Sequence, residues 1–351
     1  MQEKDFMKKA LELSVKGNVS PNPFVGCVIV KDNEIIAEGF HEKYGEKHAE
    51  IIALEKAGEK AKDSTLYVSL EPCNHDGKTP PCTKAIIKAE VKKVVVAMKD
   101  PNSLMQGKSL KELKQAGIEV ESGLMKKEAE KINESFIKFQ KTKKPFVFLK
   151  AAISLDGKIA TKEFDSKWIS SVESRKKVHE LRSKVDAILI GENTVLKDNP
   201  KLTSRIENSR NPLRVIVTTK KIPENFNVFS DEHFLIATTD SNLFSDKRFE
   251  GKVIELKKEK ENLVDLKKLI EVLGEKHISS LLVEGGSAIL TSFLKEKLAD
   301  KLLLFVSPKI LGNDSIPVFG NLEIKEVKDS IELKDFSFQK IGKDILVEGY
   351  F

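Results

Sequence analysis

The sequence contains few cysteines, tryptophans, tyrosines and arginines, and each scarcity argues against a class of protein. Its 351 residues include three cysteines, one tryptophan, three tyrosines and six arginines. Three cysteines cannot form the disulfide framework of a small secreted protein, and such usage is typical of a reducing cytosol. We therefore expect a cytoplasmic location. The shortage of tryptophan and tyrosine also argues against a surface on which nucleic-acid bases stack.

The chain also lacks long hydrophobic runs and a strong net charge. No apolar run approaches the roughly 20 residues that cross a membrane, and the first residues do not follow the basic-then-apolar plan of a signal peptide. The net charge of +6 is spread over 60 basic and 54 acidic residues. This balance does not require nucleic acid or a membrane as partner and suits anionic small molecules. The length predicts two domains.

One histidine and two cysteines have the pattern of a zinc site. His48 begins the triplet His48-Ala49-Glu50, and eight residues separate Cys73 from Cys82. These three ligands leave a fourth tetrahedral position for water, as in catalytic zinc sites. Zinc would lower the pKa of that water and generate a hydroxide nucleophile. Glu50 can then carry a proton from the water to a leaving amine, as a general acid and base.

Two other interpretations of these residues stay open on spacing alone. His75, between the two cysteines, could be a fourth ligand that closes a structural site. The histidine and the thiols could also be unrelated buried groups. We favour catalytic zinc because it is the interpretation that gives Glu50 a role. The remaining cysteine, Cys27, lies in an apolar run and is predicted to be a small core residue.

This pattern resembles the signature of the cytidine-deaminase-like superfamily, His-x-Glu followed by Pro-Cys-x-x-Cys. It departs from that signature in the longer spacing between Cys73 and Cys82. The resemblance implies that Asn22, in the loop Pro21-Asn22-Pro23, hydrogen-bonds the substrate. Spacing alone would instead favour a simple turn asparagine.

Strand and helix patterns alternate along the chain and predict an α/β protein with a mainly parallel sheet in its first half. The zinc residues should lie where helix N-termini meet strand ends. The charged, proline-ended connector Lys141–Pro145 is the predicted boundary, which gives domains 1–144 and 145–351. Residues 220–275 alternate Lys/Glu-rich patches with short apolar runs, and we predict a solvated surface without a function there.

The second half contains weaker signals for anion binding. Glu284-Gly285-Gly286 joins a predicted strand to a predicted helix, where free backbone N–H groups can bind an anion. Two glycines are weak evidence, and a tight turn without a ligand explains them equally well. Arg182 and Arg205 flank the loop 194–198, and guanidinium groups bind phosphate in bidentate fashion. A pair of surface arginines is an equally good interpretation of the same residues.

Taken together, these motifs resemble those of the bifunctional deaminase/reductases of riboflavin biosynthesis, over nearly the whole chain. The motifs that support the resemblance are Pro21-Asn22-Pro23, His48-Ala49-Glu50, Glu71-Pro72-Cys73, Pro80-Pro81-Cys82, Ser154-Leu155-Asp156-Gly157, Asp198-Asn199-Pro200 and Val283-Glu284-Gly285-Gly286. The long cysteine spacing is this family's own. One departure is Ser109, where the family more often has a glycine; we expect it to alter a turn without touching a catalytic atom.

The resemblance implies an N-terminal cytidine-deaminase-like three-layer α/β/α domain and a C-terminal dihydrofolate-reductase-like α/β domain. The first domain would use zinc to remove the 2-amino group of 2,5-diamino-6-(5-phosphoribosylamino)pyrimidin-4(3H)-one. The second would use NADPH to reduce the ribosyl chain to ribityl, giving 5-amino-6-(5-phosphoribitylamino)uracil. The implied partners are phosphorylated pyrimidines, with no nucleic acid and no membrane. The implied assembly is a homo-oligomer, either a dimer or a tetramer.

The resemblance also assigns site residues by motif. One zinc ion per chain would be held by His48, Cys73 and Cys82, with Glu50 as the catalytic residue. Substrate would be bound by Asn22, Lys150, Ser166, Arg182, Leu202, Arg205 and Glu284. NADPH would be bound by Ala152, Trp168, Thr194, Asp198, Gly286, Ser287, Ala288, Ile289, Leu290, Thr291 and Ser292.

Two rival classes share some of these features. A tRNA adenosine deaminase would have the same zinc site but should carry a concentrated basic face and stacking aromatics, which this sequence lacks. A non-catalytic binding protein that zinc only stabilises would not need Glu50. Ammonia release and NADPH oxidation, followed separately, distinguish the three.

Overall fold

The computed structural model describes residues 2–75, 80–102, 105–207, 209–258 and 262–351. The chain forms two compact units, Met1–Thr142 and Lys143–Phe351. Their division falls inside the charged connector Lys141–Pro145. No helix in the described part of the chain is long and apolar enough to cross a membrane.

The first unit alternates helices with strands, as the sequence pattern predicts. Its elements are α1 (Glu3–Ser14), β1 (Gly26–Lys31), β2 (Glu34–Phe40), α2 (Ala49–Ala57), β3 (Thr65–Leu70), α3 (Cys82–Lys88), β4 (Lys93–Met98), α4 (Lys108–Gln115), β5 (Glu119–Ser122), α5 (Lys126–Ile132) and α6 (Glu134–Thr142).

The sheet of the first unit has the strand order β2-β1-β3-β4-β5. The sheet departs from the predicted mainly parallel arrangement at β1. Strands β3, β4 and β5 pair in parallel, whereas β1 pairs antiparallel with both β2 and β3. The reason is topological. The hairpin reverses the chain, so β3, which runs in the direction of β2, pairs with β1 on its other edge.

Two glycines show that helices cover both faces of this sheet. A Cβ on Gly26 would lie 2.0 Å from the carbonyl oxygen of Ala10 in α1. A Cβ on Gly39 would lie 2.2 Å from the carbonyl oxygen of Ala49 in α2. Gly39 pairs with Cys27, the neighbour of Gly26, and successive residues of a strand face opposite sides. Helices α1 and α2 therefore lie on opposite faces, which confirms the predicted three layers.

The second unit is also an α/β structure. Its elements are β6 (Phe146–Ser154), β7 (Lys158–Ala160), α7 (Val172–Lys184), β8 (Ala187–Gly191), α8 (Glu192–Asp198), β9 (Leu213–Thr218), β10 (Phe234–Thr238), β11 (Val253–Glu255), α9 (Leu266–Glu275), β12 (Ser280–Glu284), α10 (Ser287–Lys295), β13 (Lys301–Ser307), β14 (Ile316–Pro317), β15 (Lys334–Ile341) and β16 (Asp344–Tyr350).

The main sheet of the second unit has the strand order β11-β10-β9-β8-β12-β6-β13-β16-β15. The pairings from β11 to β13 are parallel, and those of β13 with β16 and β16 with β15 are antiparallel. Every residue of β12 is buried, as expected of a central parallel strand covered on both faces. The carboxyl ends of β6, β8 and β12 therefore meet at one edge of the sheet, where α/β proteins bind ligands.

The prediction of a solvated surface for residues 220–275 is wrong for two elements. Every residue of β10 is buried, and α9 buries Leu269, Ile270 and Leu273 in the core of the unit. β10 is a short apolar run, and pairing with β9 and β11 makes it an internal strand. α9 is an amphipathic helix that buries most of its apolar residues and exposes most of its charged ones.

Candidate active sites

The structure brings His48, Cys73 and Cys82 together. Their ligand atoms all lie within 4.8 Å of one another. His48 Nδ1 is 3.3 Å from Cys82 Sγ and 3.4 Å from Cys73 Sγ. His48 directly precedes α2, and Cys82 is the first residue of α3. Two helix N-termini, whose dipoles favour negative charge, therefore meet at this cluster.

The geometry of the cluster fits a zinc ion. With zinc–sulfur bonds of about 2.3 Å and zinc–nitrogen bonds of about 2.0 Å, a tetrahedral site separates nitrogen from sulfur by roughly 3.5 Å. The two nitrogen–sulfur distances of 3.3 and 3.4 Å agree with this separation. One imidazole and two thiols are also ligands that zinc prefers over magnesium or calcium. The donor set and its spacing therefore both suit zinc.

The surroundings of Cys73 favour its thiolate form, which is the form that binds metal. Hydrogen bonds from the side chain of Cys82 and from His48 lower the pKa of Cys73, and the backbone N–H of Cys82 adds to this effect. That N–H donates to Cys73 Sγ over 3.4 Å. The backbone at the start of α3 thus supports a negative charge on the sulfur of Cys73.

Glu50 lies in the first turn of α2 and is buried, with 3% of its surface exposed. It lines the same cavity as His48 and Cys73. Burial raises the pKa of its carboxyl to about 7, and the negative charge of Cys73 adds to the rise. The metal-ligand group found among the described residues does not include Glu50. Its carboxyl therefore stands beside the cluster, where a proton carrier would be needed.

His75 does not join the cluster. It is exposed and lines the cavity, but the group of potential metal ligands in the described residues contains only His48, Cys73 and Cys82. The described residues therefore offer three protein ligands, as the catalytic interpretation requires and the structural one does not.

Asn22 lines the cavity and is held by a histidine that the sequence did not reveal. Its Nδ2 is 3.0 Å from His41 Nε2, and His41 Nδ1 is 3.0 Å from the carbonyl oxygen of Lys47. A carbonyl can only accept, so Nδ1 carries the hydrogen. Burial lowers the pKa of His41, which favours a neutral ring whose Nε2 accepts from Asn22. No local motif marks His41, because its role depends on a contact 19 residues away in sequence.

The cavity of the first unit has a volume of about 390 Å³ and is lined by residues from several segments. Glu71, Asp100, Asn102 and Met105 contribute to its wall in addition to the residues described above. None of these four was assigned a role from the sequence, because acidic, amide and methionine residues in loops are too common to be informative by themselves.

A larger cavity, of about 710 Å³, lies at the carboxyl ends of strands in the second unit. Most residues that the sequence assigned to substrate or NADPH line it. They are Lys150, Ala152, Ser166, Arg182, Thr194, Asp198, Leu202, Glu284, Gly286, Ser287, Ala288, Ile289 and Ser292.

Three of these residues form an ion-paired triad around the buried side chain of Glu284. Arg182 donates from Nε to Glu284 Oε1 over 2.8 Å and from Nη2 to Glu284 Oε2 over 2.9 Å. Lys150 Nζ is 3.3 Å from Glu284 Oε2. Burial by itself would raise the pKa of Glu284, but the charges of Arg182 and Lys150 outweigh burial and lower the pKa to about 2. The triad therefore keeps a carboxylate charged between two cations.

The start of α10 faces the same cavity. Gly286 precedes the helix, and its N–H donates to Thr194 Oγ1 over 3.1 Å. Ser287, Ala288 and Ile289 follow in the first turn and line the cavity. A helix N-terminus next to a cavity suits a negatively charged group such as a phosphate.

Four residues assigned from the sequence do not line this cavity: Trp168, Arg205, Leu290 and Thr291. Leu290 is 1% exposed and belongs to the hydrophobic core. Thr291 Oγ1 donates to the carbonyl oxygen of Ser287 and accepts from the N–H of Gly320. A continuous run of helix residues turns through every direction, so such a run cannot face a ligand along its whole length.

Trp168 and Arg205 lie at the surface. The indole of Trp168 is 59% exposed, and the guanidinium of Arg175 lies 4.5 Å from its ring centre. Arg205 is exposed and has no ion pair with any residue the structure describes. By contrast, the fork of Arg182 is already paired with Glu284, so the two arginines differ in what they could still bind.

Comparisons with known proteins match both units. Residues 1–98 match the family model of the cytidine and deoxycytidylate deaminase zinc-binding region, and residues 145–347 match that of the RibD C-terminal domain. The riboflavin biosynthesis protein RibD of Aquifex aeolicus (strain VF5) is 43% identical over 98% of this chain and 97% of its own length.

Two solved structures are similar over almost their whole length. The RibD of Acinetobacter baumannii (form 1) superposes with a TM-score of 0.89 and 37% identity, over 99% of this chain and 98% of that one. A diaminohydroxyphosphoribosylaminopyrimidine deaminase/5-amino-6-(5-phosphoribosylamino)uracil reductase of Thermotoga maritima superposes with a TM-score of 0.88 and 40% identity, over 99% and 98%.

Proposed function

The chain belongs to the RibD family of bifunctional deaminase/reductases of riboflavin biosynthesis, and we propose that its two cavities perform the two reactions in succession. The first unit deaminates 2,5-diamino-6-(5-phosphoribosylamino)pyrimidin-4(3H)-one with one zinc ion per chain. The second unit reduces the ribosyl chain of the product with NADPH, giving 5-amino-6-(5-phosphoribitylamino)uracil. The observation that carries the proposal is the three-ligand cluster beside a buried Glu50, in a cavity lined by Asn22.

In the deamination, His48, Cys73 and Cys82 hold the zinc ion, which when bound supplies Lewis-acid activation of water. Glu50 accepts a proton from that water at its carboxylate and returns it to the amino group that leaves as ammonia. Its burial keeps bulk water from competing for the proton. Asn22, with its carboxamide held by His41, fixes the substrate in the cavity.

In the reduction, the residues of the larger cavity hold NADPH, which when bound supplies the hydride. The start of α10 and Thr194 suit the cofactor's phosphates. Lys150 Nζ and Arg182, both paired with Glu284, present fixed positive charge to the oxygens of the sugar. Glu284 prevents these two cations from repelling each other in a buried site, so it orients them whether or not it touches the substrate.

The terminal phosphate of the substrate is assigned to Arg205. Arg182 uses two of its nitrogens on Glu284, whereas the guanidinium of Arg205 is exposed at the surface. A planar fork that has no ion pair with a described residue suits a bidentate hold on a phosphate. Asp198 and Ser166 also line the cavity and contribute polar contacts.

We also keep the prediction of a homo-oligomer. What supports it is the outer strand β15, where Phe336 is 60% exposed and Phe338 is 72% exposed. Exposed apolar residues on an edge strand are a common site of pairing with another chain. Light scattering coupled to size-exclusion chromatography gives the number of chains directly.

Incubation of the protein with the diaminopyrimidine, with and without NADPH, tests the proposed sequence of reactions. Ammonia should appear in both samples, because deamination does not need the nicotinamide. NADPH absorbance should fall only after ammonia appears, and without a delay when the deaminated pyrimidine is supplied. NADPH oxidation that precedes ammonia release would contradict the proposed order.

A further inference from the structure

Glu71 connects the zinc cluster to another part of the cavity wall through a buried set of hydrogen bonds. It follows β3, is 6% exposed, and lies two residues before Cys73. Its carboxylate accepts from the N–H of Asp100 over 3.0 Å and from the N–H of Gly107 over 2.9 and 3.0 Å. The hydroxyl of Ser109 donates to it over 2.7 Å. One side chain thus binds three separate donors.

These donors lie beside residues that face the substrate cavity. The carboxylate of Asp100 accepts from the N–H of Asn102 over 2.8 Å, and both residues line the cavity. Gly107 precedes α4 in a left-handed conformation with φ of 79°, and Ser109 is the second residue of that helix. Glu71 therefore holds the start of the Asp100 segment and the start of α4 against the strand end that leads to Cys73.

The chemistry of this set requires a carboxylate at position 71. Each of the three described partners donates a hydrogen, and an ionised carboxylate has only acceptor sites. A glutamine would direct its NH₂ group at one of the donating groups and leave a buried group unsatisfied. The hydroxyl of Ser109 supplies one of these donors, and an alanine or glycine at this position would remove it.

We propose that Glu71 is a positioning residue for the deamination: its carboxylate fixes the wall formed by Asp100 and Asn102 against the zinc cluster, and Ser109 strengthens that hold. The inference rests on the proposed function, since it concerns the substrate cavity of the deaminase. A wall held in one conformation binds substrate without an ordering cost at each turnover.

Kinetics of Glu71→Gln distinguish positioning from a purely structural role. We expect the KM of deamination to rise about tenfold, with kcat changed by less than about threefold, because binding and not proton transfer is disturbed. Zinc content should stay near one per chain. The NADPH oxidation of the same variant, given deaminated pyrimidine, is an internal control for folding and should equal that of the wild type.

Ser109→Ala and Ser109→Gly are milder variants that test the same contact. Each single variant should raise the KM of deamination about two- to threefold. Added to Glu71→Gln, each should have little further effect, because the hydrogen bond between residues 71 and 109 is already disturbed. If Glu71→Gln does not fold, the two Ser109 variants still test the contact. Asn33→Ala, in the exposed hairpin turn between β1 and β2, is a control that should not change the KM.

Two outcomes would overturn the inference. One is a wild-type KM in folded Glu71→Gln or in both Ser109 variants. The other is loss of zinc in proportion to activity with an unchanged KM, which would make Glu71 a support of the metal ligands. Failure of the wild type to release ammonia would instead count against the proposed function, so the two failures are distinguishable.

Discussion

The zinc cluster and the Lys150–Arg182–Glu284 triad achieve a fixed charge arrangement in opposite ways. The cluster gathers thiols and an imidazole at the N-termini of α2 and α3, where backbone dipoles favour negative charge. The triad gathers two cationic side chains and one carboxylate from β6, α7 and β12 and pairs both cations with that carboxylate. The cluster is incomplete without a metal ion, whereas the triad has its counter-charges within the protein. The first should therefore respond to metal removal and the second to the loss of a single charge.

The largest effect is expected when a cysteine of the cluster is replaced. Cys73→Ser should lose zinc and deaminase activity together, because apparent binding energies of structural zinc sites are of the order of 10–16 kcal/mol and depend on thiolate ligands. Elemental analysis gives the zinc content. NADPH oxidation with the deaminated pyrimidine should persist. Cys27→Ala, at the third, buried cysteine, is the matched control and should retain its metal; equal zinc in both variants would disprove the cluster.

Glu50→Gln should have the next largest effect. Loss of a general acid and base lowers the rate by about 10²–10⁴-fold, measured as ammonia release. Zinc should stay near one per chain, because the structure places Glu50 outside the ligand group. Loss of zinc from the variant would show that Glu50 is a metal ligand. Glu50 would then not be the proton carrier that distinguishes it from Glu284, which serves as a counter-charge.

Glu284→Gln should destabilise the second unit, since it leaves the partly buried cations Lys150 and Arg182 without their counter-charge. Removing one partner of a buried ion pair costs about 3–5 kcal/mol. The lowered pKa of Glu284, about 2, means that its contribution is present above the ordinary value near 4.5 and is lost as the pH falls toward 2. The Tm difference between wild type and variant should be constant from neutral pH to about 5 and shrink below it. A difference that stays unchanged to pH 3 would contradict the charged triad.

Arg205→Ala should have a smaller and selective effect. Each lost charge-assisted hydrogen bond costs about 1.5–3 kcal/mol, so the KM of the reduction should rise more for the phosphorylated substrate than for its dephosphorylated form. Lys150→Ala should lower kcat/KM for both substrates alike, because it acts on the sugar. Lys201→Ala removes another exposed positive charge nearby in the sequence and is the control. An equal rise in KM for the two substrates in Arg205→Ala would show that Arg205 does not bind the substrate phosphate.

The smallest effect is expected for His75→Ala. His75 is exposed and lies outside the metal-ligand group of the described residues, so the variant should keep its zinc and most of its deaminase activity. Loss of zinc would make His75 a fourth ligand and the cluster a closed structural site.

The sequence predicts the zinc cluster well because short motifs hold its residues. His48 and Glu50 lie in one triplet, and each cysteine lies directly after a proline. The triad could not be predicted in this way, since Lys150, Arg182 and Glu284 meet only when β6 and β12 pair and α7 packs nearby. The sequence suggests a phosphate ligand for Arg182, and the structure shows a carboxylate instead.

The break between α5 and α6 also depends on a distant contact that the local sequence pattern does not reveal. Residues 126–139 have the pattern of a single helix, but the structure breaks it between α5 and α6 at Asn133. The side chain of Asn133 accepts from the N–H of Phe24 over 2.8 Å and donates to its carbonyl oxygen over 3.1 Å. A contact between residues 109 positions apart leaves no trace in local periodicity.

Ammonia release and NADPH oxidation, recorded in parallel for the wild type, Glu50→Gln and Lys150→Ala, test most directly that one chain carries two separate chemistries. The wild type should show both activities. Glu50→Gln should release ammonia about 10²–10⁴-fold more slowly yet oxidise NADPH when given the deaminated pyrimidine, and Lys150→Ala should release ammonia at the wild-type rate with little NADPH oxidation. Ammonia release by Glu50→Gln at the wild-type rate, or loss of both activities in either folded variant, would contradict the account.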